Sequence, residues 1–242
     1  MILLSSFKNF QKKKIAQLID PDKLVESKLR LQIQAAEKAK VDYIFMGGSL
    51  ISNNGIDLSM KIIKELTNIP VIIFPGNVTH LHDDADAVLF LSLISGRNPD
   101  LLIGNHIHVA TTLKRKGIET IPTGYMLIES GKITSAQYMS NTLPIPHEKS
   151  DIAVATAVAG ELLGLKAIYM DAGSGADKTI SENMIQQVKS NIDIPLIIGG
   201  GIRTAETAVN IAKAGADIIV VGNAAEDNPE LIIEISERIH NI

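Results

Sequence analysis

The sequence predicts one α/β domain over residues 1–242, folded as a (β/α)8 (TIM) barrel. Three observations indicate this fold. Eight short apolar runs recur along the chain, and each is closed by glycine, asparagine or aspartate. Longer amphipathic stretches separate most of these runs, which is typical of repeated strand and helix units. The length of 242 residues is close to the about 250 residues usual for such a barrel.

The predicted strands lie at residues 15–19, 43–46, 71–74, 87–91, 119–123, 167–170, 196–198 and 218–221. Several are continuous in valine, isoleucine and leucine, as expected for parallel strands covered on both faces. A doubly wound sheet is the alternative. It is less favoured because polar and glycine residues follow almost every strand, whereas no single glycine-rich fingerprint dominates the first crossover.

The predicted helices lie at residues 24–40, 58–66, 101–116, 152–163, 180–188, 205–214 and 229–239. The third helix of a regular barrel is missing from this series. The short segment between the third and fourth strands, residues 75–86, is rich in polar and turn-forming side chains, and it predicts a loop or a turn of helix in that place.

The composition excludes several classes of protein. Acidic side chains outnumber basic ones, 27 to 23, which argues against a nucleic-acid binder. The chain has no cysteine, so disulfides, zinc–thiolate sites, iron–sulfur clusters and thiol nucleophiles are excluded, and a cytoplasmic protein is predicted. No apolar stretch reaches the about 18 uncharged residues of a transmembrane helix.

In a barrel of this class, functional side chains follow the strands. The sixth, seventh and eighth strands end in glycine-rich turns, and the last two turns predict a phosphate site built on Gly200, Gly201, Gly222 and Asn223. Glycine lets the backbone N–H groups approach an anion. Tight turns without a ligand are the alternative. Arg203 is expected either to add a contact to the anion or to pair with a carboxylate on the rim.

A second candidate site follows the first two strands. Asp20 and Asp22 flank a proline, and Ser49 follows the neighbouring strand. Mg²⁺ needs only one or two protein ligands and completes its shell with water and substrate phosphates, so this sparse oxygen site fits a metal–diphosphate complex. The equally weighted alternative is that Asp20 begins a turn and Asp22 caps the following helix.

Histidines elsewhere are interpreted as structural. His80 and His82 are two residues apart in a segment predicted to be a solvated loop, a spacing that does not converge on one metal ion. His106 and His108 lie within a predicted helix, where the same spacing again separates the side chains, so surface or packing positions are expected.

Five motifs together resemble the geranylgeranylglyceryl phosphate synthases, in the order that this family keeps. They are residues 18–23 (Leu-Ile-Asp-Pro-Asp-Lys), 47–49 (Gly-Gly-Ser), 169–176 (Tyr-Met-Asp-Ala-Gly-Ser-Gly-Ala), 199–203 (Gly-Gly-Gly-Ile-Arg) and 221–223 (Val-Gly-Asn). The resemblance extends over residues 15–242. Residues 92–104 and 122–126 are more similar to the longer, oligomeric branch of the family, which includes bacterial members.

The resemblance implies a prenyltransferase that joins a polyprenyl diphosphate, most often geranylgeranyl diphosphate, to the hydroxyl of sn-glycerol 1-phosphate, with Mg²⁺ as cofactor. Asp20 and Ser49 match its metal-binding positions. Asp171 and Tyr169 match its catalytic positions, with Asp171 as the general base. The implied glycerol phosphate site comprises Tyr169, Met170, Asp171, Ala172, Gly173, Ser174, Gly175, Gly200, Gly201, Gly222 and Asn223. A homo-oligomer and transient membrane contact for product release are also expected.

Two positions depart from the family pattern. Asp171 stands where glutamate is more usual, and Leu18 stands where some relatives have lysine. Two alternatives to the synthase remain: an isomerase or synthase of another phosphate-binding barrel family, and a non-catalytic binder of phosphate ligands.

Overall fold

The computed structural model describes residues 2–23, 25–52 and 54–242. Eight parallel strands pair in chain order and close into a barrel, because the first strand also pairs with the eighth. The strands are β1 Lys14–Ile19, β2 Tyr43–Met46, β3 Val71–Ile73, β4 Ala87–Leu93, β5 Glu119–Leu127, β6 Ala167–Asp171, β7 Leu196–Gly199 and β8 Ile218–Val221. The predicted barrel is confirmed.

The helices surround this barrel. They are α1 Ile2–Phe7, α2 Glu26–Ala39, α3 Gly55–Leu66, α4 Asn105–Lys116, α5 Ser135–Ser140, α6 Ser150–Leu162, α7 Glu182–Lys189, α8 Ala205–Ala214, α9 Asn223–Asp227 and α10 Glu230–His240. A 3-10 turn, Pro21–Lys23, follows β1, and a π-helical turn, Asp100–Gly104, leads into α4. None of the helices formed by these described residues is long and apolar enough to span a bilayer.

The gap between β3 and β4 agrees with the sequence. Residues 74–86, all of which the structure describes, contain no helix. Two strands extend beyond their predicted ends by more than one residue, since β4 runs to Leu93 and β5 to Leu127. Ser92 and Tyr125, expected after their strands, therefore lie within them. The short helices α1, α5 and α9 were not predicted from the sequence.

Leu24 lies outside the described residues, so the predicted start of the second helix is not tested there. Helix α2 begins at Glu26, after Val25, whose side chain makes no capping hydrogen bond. The alternative in which Asp22 caps this helix is therefore wrong. Asp22 Oδ1 instead accepts hydrogen bonds from the backbone N–H and the hydroxyl of Ser52, at 2.7 and 2.9 Å.

Helix α1 covers the end of the barrel at which the strands begin. The Glu119 carboxylate accepts hydrogen bonds from the backbone N–H groups of residues 2–4, which are otherwise unpaired at the start of a helix. Phe7 is fully buried and its ring lies 4.9 Å from that of Tyr43, while the Tyr43 hydroxyl lies 2.5 Å from the Ser6 hydroxyl. This packing leaves the opposite, carboxyl end of the strands as the mouth of the barrel.

Candidate active site

One cavity of about 1030 Å³ occupies the mouth, at the upper end of the size range of small-molecule sites. Most of the predicted site residues line it together. They are Asp20, Ser49, Tyr169, Asp171, Ser174, Gly175, Gly200, Gly201, Gly222 and Asn223. The structure therefore brings the predicted metal positions and the predicted phosphate turns into the same space.

Three residues of the predicted glycerol phosphate site do not line this cavity. Successive side chains of a strand point to opposite faces, so Tyr169 and Asp171 face the cavity while Met170 is buried in the apolar layer outside the barrel. Ala172 belongs to the same buried layer. Gly173 lies so close to the side chain of Thr134 that a Cβ on it would collide with that side chain. Their part in the glycerol phosphate site stays a prediction, and it does not involve a side chain that lines the cavity.

The turns after β6, β7 and β8 form the glycine-rich end of the cavity. Gly200 and Gly201 have φ values of +90° and +73°, a conformation that favours glycine. A Cβ on Gly200 would lie 2.6 Å from the backbone nitrogen of Gly173, so the first two turns are in close contact. The Ser174 hydroxyl donates a 3.0 Å hydrogen bond to Asn223 Oδ1, which joins the first turn to the third.

Asn223 is also the first residue of α9, and it follows Gly222 directly. The three turns thus form a polar wall with an amide side chain on it. Arg203 lines the cavity as well, and its guanidinium donates a 2.7 Å hydrogen bond to the carbonyl of Ala176. In the described structure the Arg203 guanidinium thus contacts a carbonyl oxygen. The sequence had predicted a contact either to an anion or to a carboxylate on the rim.

Asp20 lies at the opposite side of the mouth, in the turn after β1. Its Oδ1 accepts a 3.1 Å hydrogen bond from the backbone N–H of Asp22. The backbone of Gly48 passes so close that a Cβ there would lie 2.8 Å from the same oxygen. The Asp20 carboxylate therefore sits against the turn that carries Ser49.

The sequence did not predict the ion pairs that Lys23 forms beside Asp20. Lys23 Nζ lies 3.5 Å from Asp20 Oδ2 and 3.6 Å from a carboxylate oxygen of Glu226. Glu226 lines the cavity, and burial raises the pKa of its carboxyl, with Lys23 acting in the opposite direction. Spacing along the chain gives no signal for this contact, because more than 200 residues separate Lys23 from Glu226.

Asp171 ends β6 at the floor of the cavity, where it is only 7% exposed. Its Oδ1 accepts a 2.7 Å hydrogen bond from the Gly173 backbone, and its Oδ2 accepts one of 2.5 Å from the Tyr125 hydroxyl. Burial raises the pKa of the Asp171 carboxyl, although both hydrogen bonds favour the ionised form. No role for Tyr125 was predicted from the sequence.

Aromatic rings surround this carboxylate. The Tyr169 ring stacks on that of Phe74 at 5.1 Å and meets the Tyr125 ring edge-on at 5.5 Å. A Cβ on Gly199 would lie 2.5 Å from the Tyr169 hydroxyl oxygen, so glycine at this position makes room for the phenol. Burial raises the pKa of both tyrosine hydroxyls well above the ordinary value, and both stay protonated.

From this floor the cavity continues as an apolar groove. Inward-facing Leu91 and outward-facing Val88 and Phe90 of β4 all line it. Its further walls are apolar side chains of the segment after β3, of α4 and of α5. These include Leu81, Val109, Leu113 and Met139. The groove thus passes over the edge of the barrel at which no helix connects β3 to β4.

Two histidines lie along this groove. His80 is buried, and its Nδ1 accepts a hydrogen bond from the Gly76 backbone N–H, so the predicted solvated position is wrong for this residue. His106 packs edge-on against the ring of Phe90, with centroids 4.3 Å apart, which confirms a packing role. Burial lowers the pKa of both imidazoles, which favours their uncharged form.

No cluster of three or more histidine, cysteine or acidic side chains that could hold a metal ion occurs within the described parts of the chain. The Asp20 carboxylate and the Ser49 hydroxyl still fit Mg²⁺, because this ion keeps several waters and binds substrate phosphates through one or two carboxylates. The open mouth beside Asp20 leaves space for such phosphates.

Comparison with known proteins agrees with this geometry. The PcrB family matches residues 8–239. The geranylgeranylglyceryl phosphate synthase of Chitinophaga pinensis is 52% identical over 228 residues, which cover 94% of this chain and 90% of the relative. The synthase of the same name from Spirosoma linguale is 44% identical over 236 residues, with 98% and 95% covered.

A solved structure provides a third comparison. The (S)-3-O-geranylgeranylglyceryl phosphate synthase of Thermoplasma acidophilum, in complex with its substrate sn-glycerol-1-phosphate, superimposes with a TM-score of 0.93 at 33% identity, over 100% of both chains. The resemblance inferred from the five sequence motifs is therefore confirmed, and the chain belongs to the PcrB family, together with these geranylgeranylglyceryl phosphate synthases.

Proposed function

We propose that this protein transfers a prenyl group from a polyprenyl diphosphate, with geranylgeranyl diphosphate as the expected donor, to the hydroxyl of sn-glycerol 1-phosphate. The products are a prenylglyceryl phosphate and diphosphate. The observation that carries this proposal is the single cavity, in which the Asp20 carboxylate, the glycine turns and the apolar groove are continuous. A diphosphate, a phosphate ester and a long hydrocarbon chain each require one of these parts.

The donor diphosphate belongs at the Asp20 side of the mouth. Asp20 and Ser49 would hold Mg²⁺ there, and the bound ion would neutralise charge on the leaving diphosphate. Lys23, whose Nζ lies 3.5 Å from Asp20, adds a positive charge at the same place. Both charges would favour departure of the diphosphate from the allylic carbon.

The acceptor phosphate belongs on the polar wall formed by the turns after β6, β7 and β8. Backbone N–H groups at Gly200, Gly201 and Gly222 are candidates for its ligands, together with the Asn223 amide. Holding the phosphate also holds the attached hydroxyl in one orientation towards the floor, which converts an encounter of two substrates into a local reaction. Asp171 at this floor is the proposed acceptor of the hydroxyl proton.

The hydrocarbon chain of the donor belongs in the groove that Phe90, Val109 and Leu113 line. Burial of each CH₂ group contributes about 0.8 kcal/mol, so a long chain gains considerable binding free energy there. These three side chains carry no polar group, which is consistent with a site for the unreactive part of a substrate.

A transfer assay tests this function. The protein is incubated with Mg²⁺, labelled sn-glycerol 1-phosphate and prenyl diphosphates of C15 to C35, beside samples with EDTA and with the sn-3 enantiomer. We expect labelled prenylglyceryl phosphate from the sn-1 acceptor alone, abolished by EDTA. Absence of product with every donor, from a folded protein that binds a phosphate ester, would favour another phosphate-binding barrel enzyme or a binder.

Asn223→Asp is expected to weaken acceptor binding without unfolding the protein. The new carboxylate can still accept the hydrogen bond from Ser174, but it loses the amide donor and adds a negative charge. Like charges about 4 Å apart repel by about 1 to 4 kcal/mol, depending on screening. We expect the KM for sn-glycerol 1-phosphate to rise at least about tenfold, measured by steady-state kinetics.

Asn191→Asp serves as the matched control, because it makes the same change of charge at an exposed position before β7, at the other end of the barrel. Its KM should equal that of the unmodified protein. An unchanged KM in Asn223→Asp would place the acceptor phosphate elsewhere in the cavity.

We also propose a cytoplasmic location, a homo-oligomeric state and transient membrane contact during product release. Exposed apolar side chains on the outer helices, such as Ile107 of α4 and Leu163 after α6, support association between copies. Light scattering coupled to size-exclusion chromatography tests the oligomer. Co-sedimentation with vesicles in the presence of product tests membrane contact, and absence of binding would contradict it.

A further inference from the structure

The proposed base, Asp171, lines the cavity but is almost fully buried there. Its side chain lies at the floor, the residue is 7% exposed, and both carboxylate oxygens already accept hydrogen bonds. The Gly173 backbone occupies Oδ1 at 2.7 Å, and the Tyr125 hydroxyl occupies Oδ2 at 2.5 Å. The Tyr125 hydroxyl, whose residue also lines the cavity, is therefore a second group beside this carboxylate that a substrate hydroxyl can contact.

Tyr125 is held firmly in this position. It lies in β5, opposite Tyr169 in the register of β5 and β6, two residues before the position that pairs with Asp171. Its ring meets the Tyr169 ring edge-on at 5.5 Å and the Phe74 ring edge-on at 5.7 Å. Tyr125 also lines the cavity. A phenol that donates its one proton to Asp171 keeps lone pairs for a donor on its other side.

We propose that Tyr125 is a catalytic residue that relays the proton of the acceptor hydroxyl to Asp171. This inference rests on the proposed function, since it concerns the same transfer reaction. The acceptor hydroxyl donates a hydrogen bond to the Tyr125 oxygen, and Asp171 receives the tyrosine proton. The pair Tyr125 and Asp171 then acts as one base, whose outer atom faces the substrate and whose charge lies one hydrogen bond deeper.

The acceptor oxygen forms a bond to the allylic carbon, and the bond between that carbon and the diphosphate oxygen breaks, so its electron pair leaves with the diphosphate. The acceptor proton moves to the Tyr125 oxygen as the tyrosine proton moves to Asp171 Oδ2. Tyrosine remains neutral, and Asp171 ends as the neutral acid.

Burial supports a concerted relay. It raises the pKa of the Tyr125 hydroxyl well above the ordinary value, so a free tyrosinate is not a base that this site can supply. Burial also raises the pKa of Asp171, which brings the carboxylate closer to the basicity that a proton acceptor needs. Neither group alone is suited to the task as well as the hydrogen-bonded pair.

A double-mutant cycle in the full-length protein tests the relay. Tyr125→Phe keeps the ring contacts and removes the hydroxyl, and Asp171→Asn keeps the shape and removes the base. We expect each variant to lower kcat about 10² to 10⁴-fold, with the KM for sn-glycerol 1-phosphate changed less than about threefold. The double variant should lose no more than the more affected single variant, because both act in one step.

A second cycle asks whether the relay can be bypassed. Asp171→Glu extends the carboxylate by one methylene, about 1.5 Å, towards the cavity. In that background we expect Tyr125→Phe to cost less than about threefold in kcat, because the longer side chain reaches the hydroxyl directly. Circular dichroism melts show which variants are folded. If Asp171→Glu is unstable, the Asp171→Asn cycle alone tests the relay.

Tyr138→Phe is the matched control, since this tyrosine is 77% exposed and does not line the cavity. Its kcat should equal that of the unmodified protein. Multiplicative losses in the Asp171→Asn cycle, or near-normal kcat in Tyr125→Phe, would overturn the relay alone. Absence of transfer by the unmodified chain would instead overturn the proposed function and the relay with it.

Discussion

Asp20→Asn is expected to lose prenyl transfer while it keeps binding of the acceptor. The substitution removes the charge at the donor side of the mouth, where the carboxylate lies beside Lys23 and Gly48. A metal ion at a leaving oxygen contributes several kcal/mol to the transition state, so we expect kcat/KM for the donor to fall at least about 10³-fold, or about 4 kcal/mol.

Calorimetry should find the dissociation constant of sn-glycerol 1-phosphate within about threefold of the unmodified value. Asp193→Asn is the matched control, because it makes the same change at an exposed position at the opposite end of the barrel. Full activity of Asp20→Asn, still dependent on Mg²⁺, would exclude Asp20 as the ligand and direct attention to Glu226, which also lines the cavity.

Gly47→Ala is expected to have the largest effect on stability. Gly47 follows β2, and a Cβ on it would overlap the backbone carbonyl of Phe74, at the end of the neighbouring strand. Backbone atoms on both sides prevent an easy adjustment. We expect the free energy of unfolding to fall by about 3 kcal/mol, at the upper end of the usual range for overpacking, with loss of activity through displacement of Ser49.

Chemical denaturation measures this change. Gly117→Ala provides the comparison, because no heavy atom lies within 4 Å of a Cβ there, although its φ of +70° favours glycine. That variant should lose only the about 1 kcal/mol typical of a left-handed backbone. Equal losses in the two variants would mean that the turn after β2 adapts, and that close packing on Phe74 contributes little.

The barrel and its missing helix could be predicted because both are local properties of the sequence. Apolar runs and turn residues mark the strands, and the polar composition of residues 75–86 excludes a long amphipathic helix there. The predicted ends of β4 and β5 were less accurate. Ser92 and Tyr125 are polar or amphipathic residues, which composition alone would place in a turn. They continue their strands because Ser92 pairs with Gly124, and Tyr125 with Leu93, across the sheet.

The candidate site shows the same division. Glycine turns and the Asp20 segment are recognisable from sequence, since each lies just after a strand. The contact between Tyr125 and Asp171, and that of Lys23 with Glu226, join residues that are distant along the chain. The motif alone does not place the Met170 side chain: its neighbours in the motif face the cavity, but strand alternation turns this side chain into the core.

The gap between β3 and β4 has a thermodynamic consequence. Apolar side chains that a third helix would cover in a regular barrel, such as Phe90, instead line the groove proposed for the donor chain. The hydrocarbon chain of the donor would then bury these side chains while it is bound, as a third helix does in a regular barrel. By mass action, a ligand that binds only the folded state stabilises it, so the supply of the proposed donor and the resistance of the protein to unfolding would be linked.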